Sequence, residues 1–127
     1  KFYDDDSSLS LVGVSRGAGQ VFSFDHVFSS GSGQQDVYDQ VSDLIQSSLD
    51  GYRVCLFSYG QTGSGKTFTM TGGIDDDRGI IPRAIEKIIM RAIELKEMGW
   101  DTCCSLSMVE LYNEQLRDLL TGTSEDK

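Results

Sequence analysis

The stretch FSYGQTGSGKTFTMTG, Phe57 to Gly72, sets an apolar run against a loop with three glycines and a lysine. Within it, Gly60-Gln61-Thr62-Gly63-Ser64-Gly65-Lys66-Thr67 satisfies the spacing G-x-x-x-x-G-K-[ST]. Phosphate is anionic and strongly hydrated, so replacing its water takes several donors that point inward. Backbone N–H groups of a glycine-rich loop supply them, because glycine lets the chain wrap closely without a Cβ clash. A helix starting near Lys66 adds free N–H groups and the positive end of its dipole. Lys66 would reach the β- and γ-phosphates as a mobile cation, and the Thr67 hydroxyl would ligate Mg²⁺. A chance match to this spacing is expected in under about 1% of chains of this length. Phe68 comes next, and its ring suits either stacking on adenine or plain helix packing; the residues alone leave both open.

Outward from the loop, strand and helix patterns alternate, the mark of an α/β fold. RVCLFSY (53–59) is a short, nearly continuous apolar run, which predicts a strand buried on both faces of a parallel sheet. Before it, Val37, Tyr38, Val41, Leu44, Ile45 and Leu49 recur at helical spacing and predict a helix over 34–49. Ser32 and Gln35 fit a capping box at its start, and Gly51 fits a left-handed residue at its end. LSLVGV predicts a short strand, Gly17 and Gly19 a turn, VFSFDHVF (21–28) a strand, and SSGSG (29–33) a loop. After the glycine loop, a short helix is expected from Lys66. GGIDDDRG (72–79) reads as a loop. Pro82 marks a first helical turn, and Ile85, Ile88, Ile89, Ala92 and Leu95 share one face of a helix over 82–98. DTCCSLSMVELY (101–112) predicts a long strand, while NEQLRDLL (113–120) fits no single pattern.

The 127 residues suffice for one modest domain, and 39% hydrophobic with 24% charged residues indicates a globular chain. A net charge of −9 and a pI of 4.4 argue against nucleic acid and anionic membrane surfaces as partners. No signal peptide and no membrane-spanning apolar run is present, so membrane insertion is not expected. Cys55, Cys103 and Cys104 show no metal-ligand spacing and predict buried, reduced thiols, the last two on opposite faces of a strand. The opening at Lys1 without Met and the close at TSEDK suggest a piece of a longer polypeptide.

The loop and its neighbours closely resemble the kinesin motor head. YGQTGSGKTFTM (59–70) resembles that family's form of the phosphate loop. FSFDHVF (22–28), QQDVYDQVSDLIQSSLDGYRVCLFSYG (34–60), GIIPRAI (79–85) and VELYNEQLRDLL (109–120) resemble family phrases in the same order. LKEMGW (95–100) looks most like the C-terminal-motor subfamily, whose members move toward microtubule minus ends. The resemblance implies an α/β P-loop NTPase fold with a mixed central sheet flanked by helices, present here only in part. It implies that Gly60, Gln61, Thr62, Gly63, Ser64, Gly65, Lys66 and Thr67 hold ATP, that Thr67 binds Mg²⁺, and that Phe68 lies against adenine. Lys66 and Thr67 take the catalytic roles this chain can offer. It places Gly72–Gly79 at an insertion where inhibitors bind some kinesins, although Asp75–Asp77 reads as solvated surface. Microtubules would be the partner, through parts outside this chain. The full-length protein would be a coiled-coil homodimer in the cytoplasm, on the microtubule cytoskeleton and the spindle.

Much of the machinery that acts on phosphate is not in residues 1–127. Phosphoryl transfer also needs groups that sense the γ-phosphate and place the attacking water. In kinesins these come from N-x-x-S-S-R-S-H (switch I) and D-L-A-G-S-E (switch II), and neither phrase occurs here; the only Asn is Asn113. The family's first strand with its R-x-R-P, and the main microtubule-binding elements, are also missing from the matched phrases. The chain alone is therefore expected not to hydrolyse ATP, and to be poorly stable with strand edges bare. Two rivals remain. Another P-loop enzyme, such as a small-molecule kinase or GTPase, would carry its loop nearer the N-terminus, and no N-K-x-D phrase is present. A non-catalytic kinesin-like interaction module would keep the fold and bind partners only.

Overall fold

The computed structural model describes residues 8–11, 20–122 and 124–125. The chain divides into two compact units, Lys1–Met90 and Arg91–Lys127. In the first, β1 (Ser8–Leu11) pairs antiparallel with β2 (Gln20–Ser23), Ser8 opposite Ser23. Then come α1 (Gln34–Leu49), α2 (Lys66–Met70) and a 3₁₀ turn at Asp75–Asp77. Helix α3 (Ile80–Glu97) runs across the boundary between the units. The second unit holds β3 (Val109–Tyr112), β4 (Gln115–Asp118) and β5 (Ser124–Glu125) in an antiparallel sheet, order β3-β4-β5. The turn expected at Gly17 and Gly19 lies outside the described residues.

Helix α1 has the predicted bounds, but its cap lies one residue later than the Ser32/Gln35 reading. Gly33 is the N-cap and donates its N–H to Asp36 Oδ2 at 2.8 Å. Gln35 instead donates to Asp39 Oδ1. Gly51 closes the helix with φ 99°, as its left-handed role requires. The apolar face of α1 is covered at Val37, Tyr38, Val41 and Ile45, while Leu44 stays exposed. Three side-chain bonds join α1 to the part of α3 within the first unit. Lys87 Nζ donates to Ser42 O at 2.9 Å, Tyr38 Oη to Arg83 O at 3.4 Å, and Arg83 to Gln35 Oε1. Partial burial raises the Tyr38 phenol above its ordinary pKa, against the lowering field of Arg83. Helix α3 begins two residues before Pro82, which sits third in the helix, where a missing N–H costs nothing.

The strand expected at 53–59 is not formed. A strand is defined by its neighbour, and none of the described strands pairs with this run. Its exposure still alternates with period two: Val54, Leu56 and Ser58 are half-covered, while Arg53, Cys55, Phe57 and Tyr59 are open. Phe57 is 81% and Tyr59 93% exposed, where a buried parallel strand would hide both. The long strand expected over 101–112 is likewise only 109–112, and that over 21–28 ends at Ser23. The buried thiols are a further correction: Cys55, Cys103 and Cys104 are free and exposed, because the sheet that would cover them is not assembled. Among the described residues, Ile45 and Ile80 are the only buried hydrophobics.

The run 113–120 resolves into a hairpin. Tyr112 pairs with Gln115 across Asn113 and Glu114, whose φ values of 49° and 63° are those of a type I′ turn. Beyond β4, Asp118 Oδ1 accepts the N–H groups of Leu120 and Thr121. These bonds, Leu120's first, hold its carboxyl below the usual carboxylate range. That support is full above the ordinary aspartate pKa and fades as pH falls through the lowered one. Glycine takes positive φ freely and glutamate does not. Glu114→Gly should therefore stabilise the hairpin by about 1 kcal/mol. In the full-length protein, amide exchange over 109–118 should slow about fivefold, since exchange follows local opening. Unchanged or faster exchange would mean that the turn is not strained.

Candidate functional site

The glycine loop runs from Gly60 to Gly65 and feeds α2. Gly65 caps that helix at φ 91°, a left-handed conformation that lets the chain reverse from loop to helix in one residue. Ser64 N–H donates to Gln61 O at 3.2 Å, closing a turn inside the loop. A Cβ at Gly60 would run into Ser64 Oγ, so the loop folds tightly on itself. Lys66 Nζ lies against the loop's own carbonyls, 2.8 Å from Gly60 O and 2.7 Å from Gln61 O. Its ammonium is thus held over the loop by acceptors that an anion could replace.

Among the described residues, the N–H groups of Gly63, Gly65, Lys66 and Thr67 have no acceptor. The Thr67 hydroxyl has no partner either, and Thr67 is exposed. Thr62, Gly63, Gly65, Lys66, Thr67 and Phe68 line an open pocket of about 390 Å³. A second, of about 290 Å³, is lined by Gly33, Gln34, Val37, Phe68 and Thr69 among others. Phe68, 55% exposed, lines both. The structure thus brings Thr62, Gly63, Gly65, Lys66, Thr67 and Phe68 together around one concavity, while Gly60, Gln61 and Ser64 do not line it. It gives the loop anion-binding chemistry: several orphan N–H donors, one cation and the free hydroxyl of Thr67 beside that of Thr62. A five-residue helix contributes chiefly its free N–H groups.

Two features near the loop had no sequence signal. Gln34, only 7% exposed, reaches across from α1 to donate to Phe68 O at 2.6 Å. Arg83 holds the 72–79 loop, donating to Arg78 O and Asp76 O, both at 2.8 Å. That loop folds back on α2 through Gly79 N–H to Thr71 O at 3.0 Å and a bridge between Gly72 and Arg78. A Cβ at Gly72, φ 71°, would collide with backbone at Asp77 and Gly79, so the reversal demands glycine. Asp75, Asp76 and Asp77 are exposed, as expected of solvated carboxylates. Among the described residues, no group of three His, Cys, Asp or Glu could hold a metal, and no helix is long and apolar enough to cross a membrane.

Comparison with known proteins gives a consistent picture. The kinesin motor domain model matches residues 4–127. Carboxy-terminal kinesin 2 of Xenopus laevis is 50% identical over 109 residues, covering 84% of this chain and 17% of that protein. The chain spans under a fifth of the length of such curated relatives, 13% of the kinesin-like protein KIN-14N of Oryza sativa and 18% of the Drosophila melanogaster protein claret segregational. The motor domain structure of the Kar3-like kinesin from Ashbya gossypii superposes with TM-score 0.76 at 35% identity, over 94% of this chain and 38% of that one. Drosophila NOD, in complex with AMPPNP, gives TM-score 0.76 at 28% identity, over 98% of this chain and 43% of that one. The fold is that of a P-loop NTPase motor head, represented in part.

Proposed function

Because this chain belongs to the kinesin motor-domain family, we propose that residues 60–67 bind the phosphates of ATP in a protein whose full length is an ATP-driven microtubule motor. The observation that supports this best is the set of unpartnered N–H groups at Gly63, Gly65, Lys66 and Thr67 beside the Lys66 ammonium. These residues fit a polyphosphate: the backbone donors would take its oxygens, and Lys66 would leave two neutral carbonyls for charged ones. Magnesium fits as well. The protein offers the Thr67 hydroxyl and, among the described residues, no acidic ligand cluster, so the ion would take its other ligands from phosphate and water. Bound there, the metal would neutralise charge on the β- and γ-oxygens. Phe68 would stack on the adenine ring, with an open face to do so.

The net charge of −9 disfavours acidic tubulin, so microtubule contact falls to parts outside this chain. The full-length protein would act as a coiled-coil homodimer on the cytoplasmic microtubule cytoskeleton, including the spindle. Residues 1–127 alone would not hydrolyse ATP, because they hold the cradle without the phrases that place the attacking water.

Equilibrium binding of ATP to the full-length protein, with Mg²⁺ and then with EDTA, tests the site. Binding should tighten with Mg²⁺, and Thr67→Ala should remove at least about tenfold of that gain. Absence of nucleotide binding by the wild-type protein would overturn the reading. Binding without turnover would leave a non-catalytic interaction module.

A further inference from the structure

We propose that Gln34 is a positioning residue of the nucleotide site: its side-chain amide, reaching from α1, sets the placement of the short helix that carries Lys66 and Thr67. The inference rests on the nucleotide-binding reading of residues 60–67 and deepens it.

Helix α2 has five residues, too few to hold its own shape in water. Its internal support is slight. Thr69 N–H donates to Gly65 O at 2.9 Å and Thr71 N–H to Thr67 O at 2.8 Å. The chain then reverses at Gly72, and the Gly72 N–H, which an onward helix would give to Phe68 O, goes to Thr67 O at 3.2 Å. Phe68 O is thereby left without a helical donor, as the last carbonyls of any helix are. It lies in a partly buried place, where an unpaired carbonyl is costly.

Gln34 supplies the missing donor, Nε2 to Phe68 O at 2.6 Å across 34 positions of sequence. Among the described residues it is the only buried polar residue, and the only side chain from outside residues 60–70 that hydrogen-bonds to α2. The bond lands on the residue after Thr67. It therefore fixes the rotation of the single turn that projects the lysine, the hydroxyl and the Phe68 ring. Gln34 also lines the second concavity, together with Phe68. It touches no phosphate itself; its effect passes through Phe68.

The test uses the full-length protein, with ATP turnover and binding of a fluorescent ADP analogue as readouts. Gln34→Met keeps the shape and removes the donor. It should raise the KM for ATP and the analogue's Kd about tenfold, with kcat within about twofold. Tyr38→Phe, which removes a longer bond from the same helix at a distance from α2, should leave both constants unchanged. Gln34→Glu separates positioning from packing. Its carboxyl, raised in pKa by burial, donates to Phe68 O only when protonated. Its nucleotide affinity should therefore recover as pH falls, with the wild type flat over that range. Unchanged KM and Kd in Gln34→Met, or a wild-type pH profile in Gln34→Glu, would overturn the proposal. Should neither variant fold, amide exchange in the wild type decides. ADP must slow exchange of the Gln34 side-chain amide together with the 66–70 backbone, and an unaffected side chain would overturn it. If the wild type binds no nucleotide, the underlying reading falls first.

Discussion

Lys66→Ala is expected to lower ATP turnover by the full-length protein by at least about a hundredfold while leaving its melting temperature unchanged. The size follows from what the ammonium is placed to do. A preorganised donor aimed at developing negative charge is worth about 10² to 10³ in rate. In the structure the ammonium lies within 2.8 Å of two loop carbonyls, held in place before any ligand arrives. The fold should not suffer. Lys66 is the first residue of α2, alanine is the best helix former, and both hydrogen bonds of the lysine are local and exposed. Lys66→Arg should not rescue, because a planar guanidinium fork cannot replace a compact point charge over a tight loop. Turnover within tenfold of wild type would mean that the loop holds phosphate without this residue.

Residues 1–127 expressed alone should show no sharp thermal transition, should bind an apolar dye strongly, and should aggregate. Ile45 and Ile80 are the only buried hydrophobics among the described residues. On α3 within the first unit, Ile81, Ile85 and Ile89 are 40%, 40% and 50% exposed, one half-covered apolar row at four-residue spacing. Phe57 and Tyr59 present bare aromatic rings on a run that has strand alternation but no ladder. Exposed apolar surface and unpaired backbone of this kind mark aggregation. Calorimetry and dye binding give the answer in one preparation. A sharp cooperative melt well above room temperature would show that this stretch is a self-sufficient domain.

The elements legible in the sequence are those whose cause is local. Helix α1 carries its own periodicity and its glycine stop, and both stand where the pattern put them. The glycine loop is legible because its proposed chemistry needs particular residues at fixed spacing, and six of residues 60–68, from Thr62 to Phe68, line one concavity. Helix α3 begins two residues early because Pro82 tolerates the whole first turn, which its identity alone does not distinguish. What could not be read is relational. The run 53–59 has a strand's composition, yet a strand needs a neighbour to pair with, and no pattern within the run reports one. The cysteines fail for the same reason, since their burial depends on a sheet formed by other residues. Gln34 gives no signal either: as a helix residue it looks ordinary, and only the fold shows that its amide meets a carbonyl 34 positions away.

The central claim is that this chain carries the nucleotide cradle of a motor whose remaining machinery lies in other segments. Phosphate release from ATP, with and without microtubules, measured side by side on the full-length protein and on residues 1–127, tests it most directly. The account predicts microtubule-stimulated release from the full-length protein and none from residues 1–127. Release from residues 1–127, or a full-length protein that binds ATP and never turns it over, would contradict it.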